Sequence, residues 1–405
     1  MLAPMRRIAP LFLSLLLIVG GCQASDTTGV ATPTTAQPTI TTAPATTTTV
    51  PPRASVTASD APGDLASEIE ALYQAVIGNA ASPEAPPGLL QHLTPTAPPA
   101  SLTIDTAITT GMVLETHVAV ATWVDDLVLA VSDDGSDWRI VGARLTSLGF
   151  GPWYGEEPHQ ILVIGSDART HEDPLRLRAD SLHIVSIGAD GTTASIVGIP
   201  RDSWVETSYG RTTKFTNVMS GRGPEVVVET AELTTGIDLD GYVVTGFGGF
   251  MALIDEFGAF EIDIPFAMNE PKSGAYFAAG RQLVDGAQAL AFARNRTLSG
   301  GDFTRSFHHG VIMQWGLSAA QGKGPSALPS DLGILTRHVY TDLDAETLLQ
   351  IAAATFEFDP FEIPNLVVPG TAGRAGEASV VFLDDGAFAI FADLTDGVLD
   401  EVPAN

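Results

Sequence analysis

The chain has 405 residues, enough for one large domain or a domain with a smaller partner. Its net charge of −28 argues against nucleic acid as a partner, since a phosphate backbone demands a basic footprint. A single cysteine, Cys22, rules out a disulfide framework, so the folded part depends on its own core, which 45% hydrophobic residues can supply.

The first residues read as an export signal. Arg6 and Arg7 are followed by a short apolar run from Ile8 to Val19, below the ~20 residues a membrane span needs. The small residues of Val19-Gly20-Gly21-Cys22 suit a signal peptidase. An ordinary cleaved signal, or a short anchor with an incidental cysteine, also fits. The cysteine placed directly after the small pair resembles the bacterial lipobox, which implies a signal at 1–22 with Cys22 as the lipid attachment site. Several acyl chains on one residue hold a membrane more firmly than one. Residues 23–62, with TPTTAQPTITTAPATTTTVPP, lack the large apolar groups needed to fold and read as an extended linker.

Residues 63–150 form a small α+β accessory module. Asp64 to Val76 has apolar residues at helical spacing, and a Pro-rich break covers 83–99. THVAVATWV, LVLAVSD and WRIVGARL then read as strands, with a turn at Asp133-Asp134-Gly135-Ser136.

The body runs from 158 to 400. Strands are expected at Ile161 to Ile164, Leu182 to Ile187, Ala194 to Ile199, Ser379 to Leu383 and Ala387 to Phe391. Helices are expected at Glu225 to Thr234, Phe247 to Phe257, Gln282 to Phe292, Phe307 to Ala320 and Leu343 to Phe356. This mixture predicts the α/β class: an α/β/α sandwich with a central mixed sheet, preceded by the strand-rich module.

Basic residues are scarce, yet 12 of the 20 lie between Arg169 and Arg305. Several fall in four clusters at the ends of expected elements: Gly165-Ser166-Asp167-Ala168-Arg169, Arg178-Ala179-Asp180-Ser181, Ile199-Pro200-Arg201-Asp202, and Arg294-Asn295-Arg296 with Gly301-Asp302-Phe303-Thr304-Arg305. Arginine forks match phosphate oxygens, and several neutralise a pyrophosphate. Carboxylates approach that ligand through a cation, and Mg²⁺ takes one or two carboxylates plus phosphate oxygens and waters. The set therefore suits phosphoryl transfer. Each neighbouring pair taken alone reads equally as a surface ion pair worth ~0–1 kcal/mol.

ILVIGSDAR, RADSL, IPRDSWV, KFTN, LVDGAQALAFARNR and GDFTR stand in the order and approximate spacing of the LytR-CpsA-Psr family, which the chain resembles over 158–400. GIDLDGYVVTGFGGFMALIDEFGA looks like that family's central segment. The resemblance implies an α/β/α sandwich with a hydrophobic tunnel for a polyprenyl chain. It also implies Mg²⁺-dependent transfer of a phosphate-linked glycopolymer from a polyprenyl-pyrophosphate carrier to peptidoglycan. Carried over by motif, Asp167 and Asp180 are the metal carboxylates. Arg178, Arg201, Lys214, Arg294, Arg296 and Arg305 bind pyrophosphate, with Asn217 beside Lys214. Asp180, Arg201, Arg296, Arg305 and Asp302 are the catalytic set, while Asp202 orients an arginine or assists the metal. The proton acceptor stays open. Tyr242 to Phe250 and Met251 to Ile254 fit either core or a lipid channel.

Two features depart from the family. His308 and His309 stand where most members carry Arg and Gln; protonation near pH 6.5 would restore charge there, and adjacent helical positions do not face one cleft together. Most relatives also carry a transmembrane helix where this chain has a lipid site. Both anchors put the body on the outer face of the cytoplasmic membrane. A lipid-pyrophosphate-glycan binding protein without transfer, and a lipid pyrophosphatase, remain alternatives.

Overall fold

The computed structural model describes residues 53–58, 61–94, 102–156, 158–295 and 300–400. Cys22, the signal, most of the linker and Arg296 lie outside the described residues. Among the described residues no helix is long and apolar enough to cross a membrane.

In the N-terminal layer, helix α1 (Leu65–Val76) buries Leu65, Ile69, Leu72, Tyr73 and Val76 along one stripe. It lies against an antiparallel meander of β1 (Ala107–Val113), β2 (Thr116–Trp123), β3 (Asp126–Ser132), β4 (Arg139–Arg144) and β5 (Pro152–Trp153), paired in sequence order. The expected turn falls between β3 and β4, where Asp134 Oδ1 accepts the N–H groups of Ser136 and Asp137.

The body is built on six strands: β6 (His159–Ser166), β7 (Ala179–Ile187), β8 (Ala194–Gly198), β9 (Gly241–Thr245), β10 (Tyr340–Thr341) and β11 (Asn365–Val367), in the order β10-β9-β6-β7-β8-β11. β6 runs parallel to β9 and antiparallel to β7, so the sheet is mixed, as expected. Its helices are α2 (Glu225–Thr235), α3 (Phe247–Phe257), α4 (Gly286–Ala293), α5 (Asp302–Gln321), α6 (Leu328–His338), α7 (Ala345–Ala354) and α8 (Asp385–Asp393). Leu162, Ile164, Leu182 and Ile184 face α2 and α8 on one side. The alternate residues Ile161, Val163, Val185 and Ile187 face α6 and α7 on the other.

That second face joins the two layers. Val118, Val120, Leu127, Leu129 and Val131 of the meander share one core with Leu328, Leu332, Leu348 and Leu349 and with Ile161 and Ile187 of the central sheet. β3 is buried along its whole length because α1 covers one face and α6 with α7 the other. Polar clasps close the seam. Glu357 Oε1 takes Arg144 Nη1 at 2.6 Å and Tyr154 Oη at 2.9 Å, and Gln350 Nε2 donates to Val141 O at 2.7 Å.

Three expected elements differ. Ala387 to Phe391 is not a strand: α8 begins at Asp385, Asp384 Oδ1 accepts from Ala387 N–H, and Ala387, Ile390 and Phe391 are buried at helical spacing. A five-residue apolar run does not reveal its period, whereas the Asp cap does. The helix expected from Gln282 begins at Gly286, after a strand over Gly280–Val284, because Asp285 and Gln288 form a reciprocal capping box. α5 starts at Asp302, more than a turn before Phe307. Residues 260–284 form two hairpins, Phe260–Ile264 with Gly280–Val284 and Met268–Glu270 with Ala275–Phe277. With α4 and α5 they enclose a separate apolar cluster containing Ile262, Phe277, Phe292 and Ile312.

The shared core predicts that meander and body unfold together. Glu357→Ala strands Arg144 and the Tyr154 hydroxyl and is expected to cost about 1–3 kcal/mol, read as a lower denaturant midpoint in one cooperative transition. Two separated transitions in the unsubstituted protein would contradict the shared core.

Candidate functional site

A cleft of about 1020 Å³ opens at the carboxyl ends of β6 and β9, where sheet proteins of this kind place ligands. This is at the upper end of the ~300–1,000 Å³ typical of ligand pockets. Two kinds of surface line it. Asp167, Arg169, Glu172, Arg176, Arg178, Asp180, Glu270, Lys272, Arg294 and Arg305 are charged, whereas Val163, Ile164, Phe247, Phe250, Leu290, Ala293, Ile312 and Met313 are apolar. Six cations face four carboxylates here, in a chain with 20 basic against 48 acidic residues, so the cleft reverses the sign of the whole.

Local backbone features place these groups. The β6–β7 ladder slips at one point: Gly165 pairs with Ser181 but Ser166 with Ala179. Asp180 is the bulged residue left between them, and such a bulge re-aims a side chain beside a site. Asp167 follows the last residue of β6. Its Oδ1 accepts the Arg178 backbone N–H at 3.0 Å, while Oδ2 takes Arg178 Nε at 2.8 Å and Nη2 at 2.5 Å. The Asp167 carboxylate accordingly raises the Arg178 pKa.

A second chain of charges runs behind the first. Asp180 Oδ1 receives Arg201 Nη1 at 2.6 Å and the Thr216 hydroxyl at 3.4 Å. Arg201 Nε lies 3.3 Å from Asp302 Oδ1, which also pairs with Arg305 Nη2. Burial works against the Arg201 charge, but Asp180 and Asp302 outweigh it and raise its pKa. Arg305 is only 5% exposed and sits in the first turn of α5, whose free N–H groups add partial positive charge. Gly300 and Gly301, with φ of +92° and +59°, turn the chain into that helix. Arg294 follows α4 and lies 4.7 Å over the Phe247 ring, a cation–π contact that leaves its fork free of carboxylates among the described residues. At the start of α3, Gly246 admits the loop after β6: a Cβ there would meet Ala168 O at 3.1 Å.

The structure thus brings Asp167, Arg178, Asp180, Arg294 and Arg305 to one cleft wall, with Arg201 and Asp302 directly behind. It does not bring Lys214 there. Lys214 Nζ is paired with Asp202 Oδ1 at 3.0 Å, Asn217 is exposed beyond it, and neither lines the cleft. Arg176, Lys272 and His183 were not singled out from the sequence, and Ser181 was named only within its cluster, yet all four line the cleft. The crowding of basic residues between Arg169 and Arg305 was the only signal for Arg176 and Lys272.

The adjacent histidines do not face the cleft together, as expected, but their charge differs from expectation. His308 is buried and stacks on Phe292, 4.6 Å between centroids, and burial pulls its pKa down to about 4. His309 lines the cleft. Burial first, then the nearby His183 and Arg305, hold it well below 6.5. His183 on β7 is fully buried, and burial lowers it to about 4. Neither helix histidine regains charge near pH 6.5.

Among the described residues no group of three or more His, Cys, Asp or Glu suits a metal ion, so no all-protein cage exists. Mg²⁺ does not require one, because it keeps waters and shares phosphate oxygens with one or two carboxylates. Asp167 and Asp180 line the cleft together, and Asp180 Oδ2 has no partner among the described residues.

At the end of the central sheet of this α/β/α sandwich, an arginine–aspartate wall meets an apolar interior. The sequence model of the LytR_cpsA_psr family matches residues 147–390, and the chain belongs to that family. It is 30% identical over 329 residues to the cell wall biosynthesis protein LcpA of Corynebacterium glutamicum, covering 66% of this chain and 62% of that protein. It is 32% identical over 160 residues to the polyisoprenyl-teichoic acid–peptidoglycan teichoic acid transferase TagV of Bacillus subtilis, covering 37% of this chain and 41% of TagV. The chain thus spans less than two thirds of these relatives. The crystal structure of B. subtilis TagV superposes with a TM-score of 0.53 at 26% identity over 62% of this chain and 100% of that one. Protein gbs0355 of Streptococcus agalactiae shares the fold, with a TM-score of 0.54 at 19% identity over 62% and 90%.

The buried histidines set a pH window for stability. Their folded pKa values lie below the usual 6.5, so above that pH neither state takes up protons and nothing is lost. As pH falls from 6.5 towards about 4, the unfolded chain binds protons that the folded chain refuses, and stability declines. Thermal unfolding should show the midpoint dropping through this window, with a shallower drop in His308→Phe. Histidine NMR signals for His183 and His308 titrating near 6.5 would contradict the assignment.

Proposed function

We propose that this protein is a cell-envelope phosphotransferase that moves a phosphate-linked glycopolymer from a polyprenyl-pyrophosphate carrier to peptidoglycan. The observation that carries this reading is the continuity of one cleft from a cationic wall to an apolar interior lined by Phe247, Phe250, Ile312 and Met313. A lipid pyrophosphate has that same division. The names of TagV and LcpA support the reaction class and the envelope setting.

In this reading Arg178, Arg294 and Arg305 take the phosphate oxygens. Arg201 holds Asp180 and Asp302 in place, each tied by its carboxylate contacts. Asp167 and Asp180 would hold Mg²⁺, which when bound neutralises negative charge on the pyrophosphate. The acceptor hydroxyl forms a bond to the phosphorus that carries the glycan, and its proton passes to water or to the departing phosphate. The bond from that phosphorus to the bridging oxygen breaks, and polyprenyl phosphate leaves with the electron pair. Little covalent chemistry is asked of the protein, so positioning and charge stabilisation dominate. Arg296, flanking Arg294 in sequence, extends the cationic set, and Cys22 carries the lipid that keeps the cleft at the outer membrane surface.

The test incubates the protein with Mg²⁺, a polyprenyl-pyrophosphate glycan and peptidoglycan oligomers, and follows products by mass spectrometry. Glycan joined to the oligomer through phosphate is expected, with loss of product on chelation. Asp180→Asn should lower kcat by about 10²–10³-fold, and Arg294→Ala should weaken donor binding while leaving the fold intact. Free glycan phosphate without joined product would replace transfer by hydrolysis. Tight donor binding with no product would leave a binding protein. Cys22→Ala is expected to move the protein from the membrane to the soluble fraction; retention there would remove the lipid anchor.

A further inference from the structure

Two glycines of the central sheet make room for a pair of polar side chains on β7. Ser181 stands opposite Gly165 of β6, and His183 opposite Gly198 of β8. A Cβ at Gly165 would meet Ser181 Cβ at 2.9 Å, and one at Gly198 would meet Ser306 Oγ at 2.6 Å and His183 Nε2 at 3.1 Å. Ser181 is part-buried and lines the cleft directly after the bulged Asp180, whereas the His183 ring is buried. His183 Nε2 lies 2.9 Å from the backbone carbonyl oxygen of Ser306, which can only accept, so Nε2 carries the proton. His183 Nδ1 is then a lone pair, and the Ser181 hydroxyl, 3.1 Å away, donates to it.

That bond commits the only proton Ser181 has. A hydroxyl carries one donor and two acceptor lone pairs, so towards the cleft Ser181 Oγ can only accept. Burial keeps His183 neutral, so the ring does not reverse this bond at neutral pH. An ionised phosphate brings acceptors alone and meets Oγ as a like partner, while Arg178, Arg294 and Arg305 offer it donors elsewhere on the wall. A neutral hydroxyl brings a donor and suits Oγ. In the proposed function the reacting group of that kind is the sugar hydroxyl of the acceptor.

We infer that Ser181 is the contact for the acceptor hydroxyl: Oγ takes its hydrogen and turns its oxygen towards the phosphorus that carries the glycan. This assignment rests on the transferase reading of the cleft and adds to it the residue that receives the second substrate. The oxygen–phosphorus bond forms, and the bond to the bridging oxygen breaks with polyprenyl phosphate taking the electron pair. The hydroxyl proton passes to water or to that phosphate; Ser181 does not keep it, because His183 Nδ1 already accepts the serine's own hydrogen. His183 acts through Ser181 and is a positioning residue that fixes which way the serine hydroxyl points. A sugar hydroxyl held at Oγ occupies the place an attacking water would take, so transfer is favoured over hydrolysis.

The test uses the full chain with Mg²⁺, a polyprenyl-pyrophosphate glycan and peptidoglycan oligomers, and measures joined product and free glycan phosphate as the oligomer concentration is varied. Ser181→Ala is expected to raise the oligomer KM about tenfold and to shift the products towards free glycan phosphate, while donor affinity stays unchanged. Ser181→Thr, which keeps the hydroxyl, is expected to restore both. His183→Met, which releases the serine proton, is expected to shift the product ratio in the same direction as Ser181→Ala. An unchanged oligomer KM and product ratio in Ser181→Ala overturns the proposal and leaves the transferase reading standing. A loss of Mn²⁺ affinity in that variant, read by calorimetry with the oligomer KM unchanged, also overturns it and makes Oγ a metal ligand. Absence of joined product from the unsubstituted protein removes the transferase reading, and this assignment with it.

Discussion

The site depends on one arrangement: arginines held at the ends of the central strands by carboxylates that face the same cleft. Two linked chains of charge do this. Asp167 grips Arg178 from side chain and backbone at once, and Asp180, Arg201, Asp302 and Arg305 form a continuous relay of ion pairs. Without the carboxylates, a row of arginines would repel itself and lie loose in water. Without the arginines, four carboxylates would repel any phosphate. The β-bulge at Asp180 and the glycine turn before α5 are the backbone features that bring the two chains together. A protein of net charge −28 thereby carries a cleft where cations outnumber carboxylates.

The second organising feature is the polarity gradient away from that wall. α5 runs from Arg305 through His309 to Ile312 and Met313, and the hairpins of 260–284 close the apolar side with the cluster around Phe277 and Phe292. Burial keeps His308 and His309 neutral, so the gradient holds across the physiological pH range. The N-terminal meander takes no part in lining this cleft. Its contribution is mechanical: with α6 and α7 it covers the half of the central sheet that the cleft leaves unused.

Much of this was legible in the sequence, for identifiable reasons. Ile161 to Ile164, Leu182 to Ile187 and Phe247 to Phe257 have the length and pattern of their elements, and the ordered motifs point to the family and to the mixed α/β sandwich. Asp167, Arg178, Asp180, Arg294 and Arg305 were identified by motif and share one cleft. Lys214 lies apart from them, its charge paired with Asp202 through the hairpin of Trp204–Glu206 with Thr212–Lys214, a contact the sequence did not display. The strand expected at Ala387 to Phe391 failed because short apolar runs conceal their period, although Asp384 marked the helix start. The neutrality of the two helix histidines was invisible, since it arises from neighbours brought in by β7 and α4.

In the proposed function, one cleft binds phosphate at its arginine–aspartate wall and lipid along α5. A crystal structure with a short polyprenyl pyrophosphate and Mn²⁺ in place of Mg²⁺ tests this directly. Anomalous signal is expected at Asp167 and Asp180, with phosphate oxygens on Arg178, Arg294 and Arg305 and the chain running past His309 to Ile312 and Met313. A metal held elsewhere, or a lipid lying outside the cleft while the phosphates bind, would contradict it.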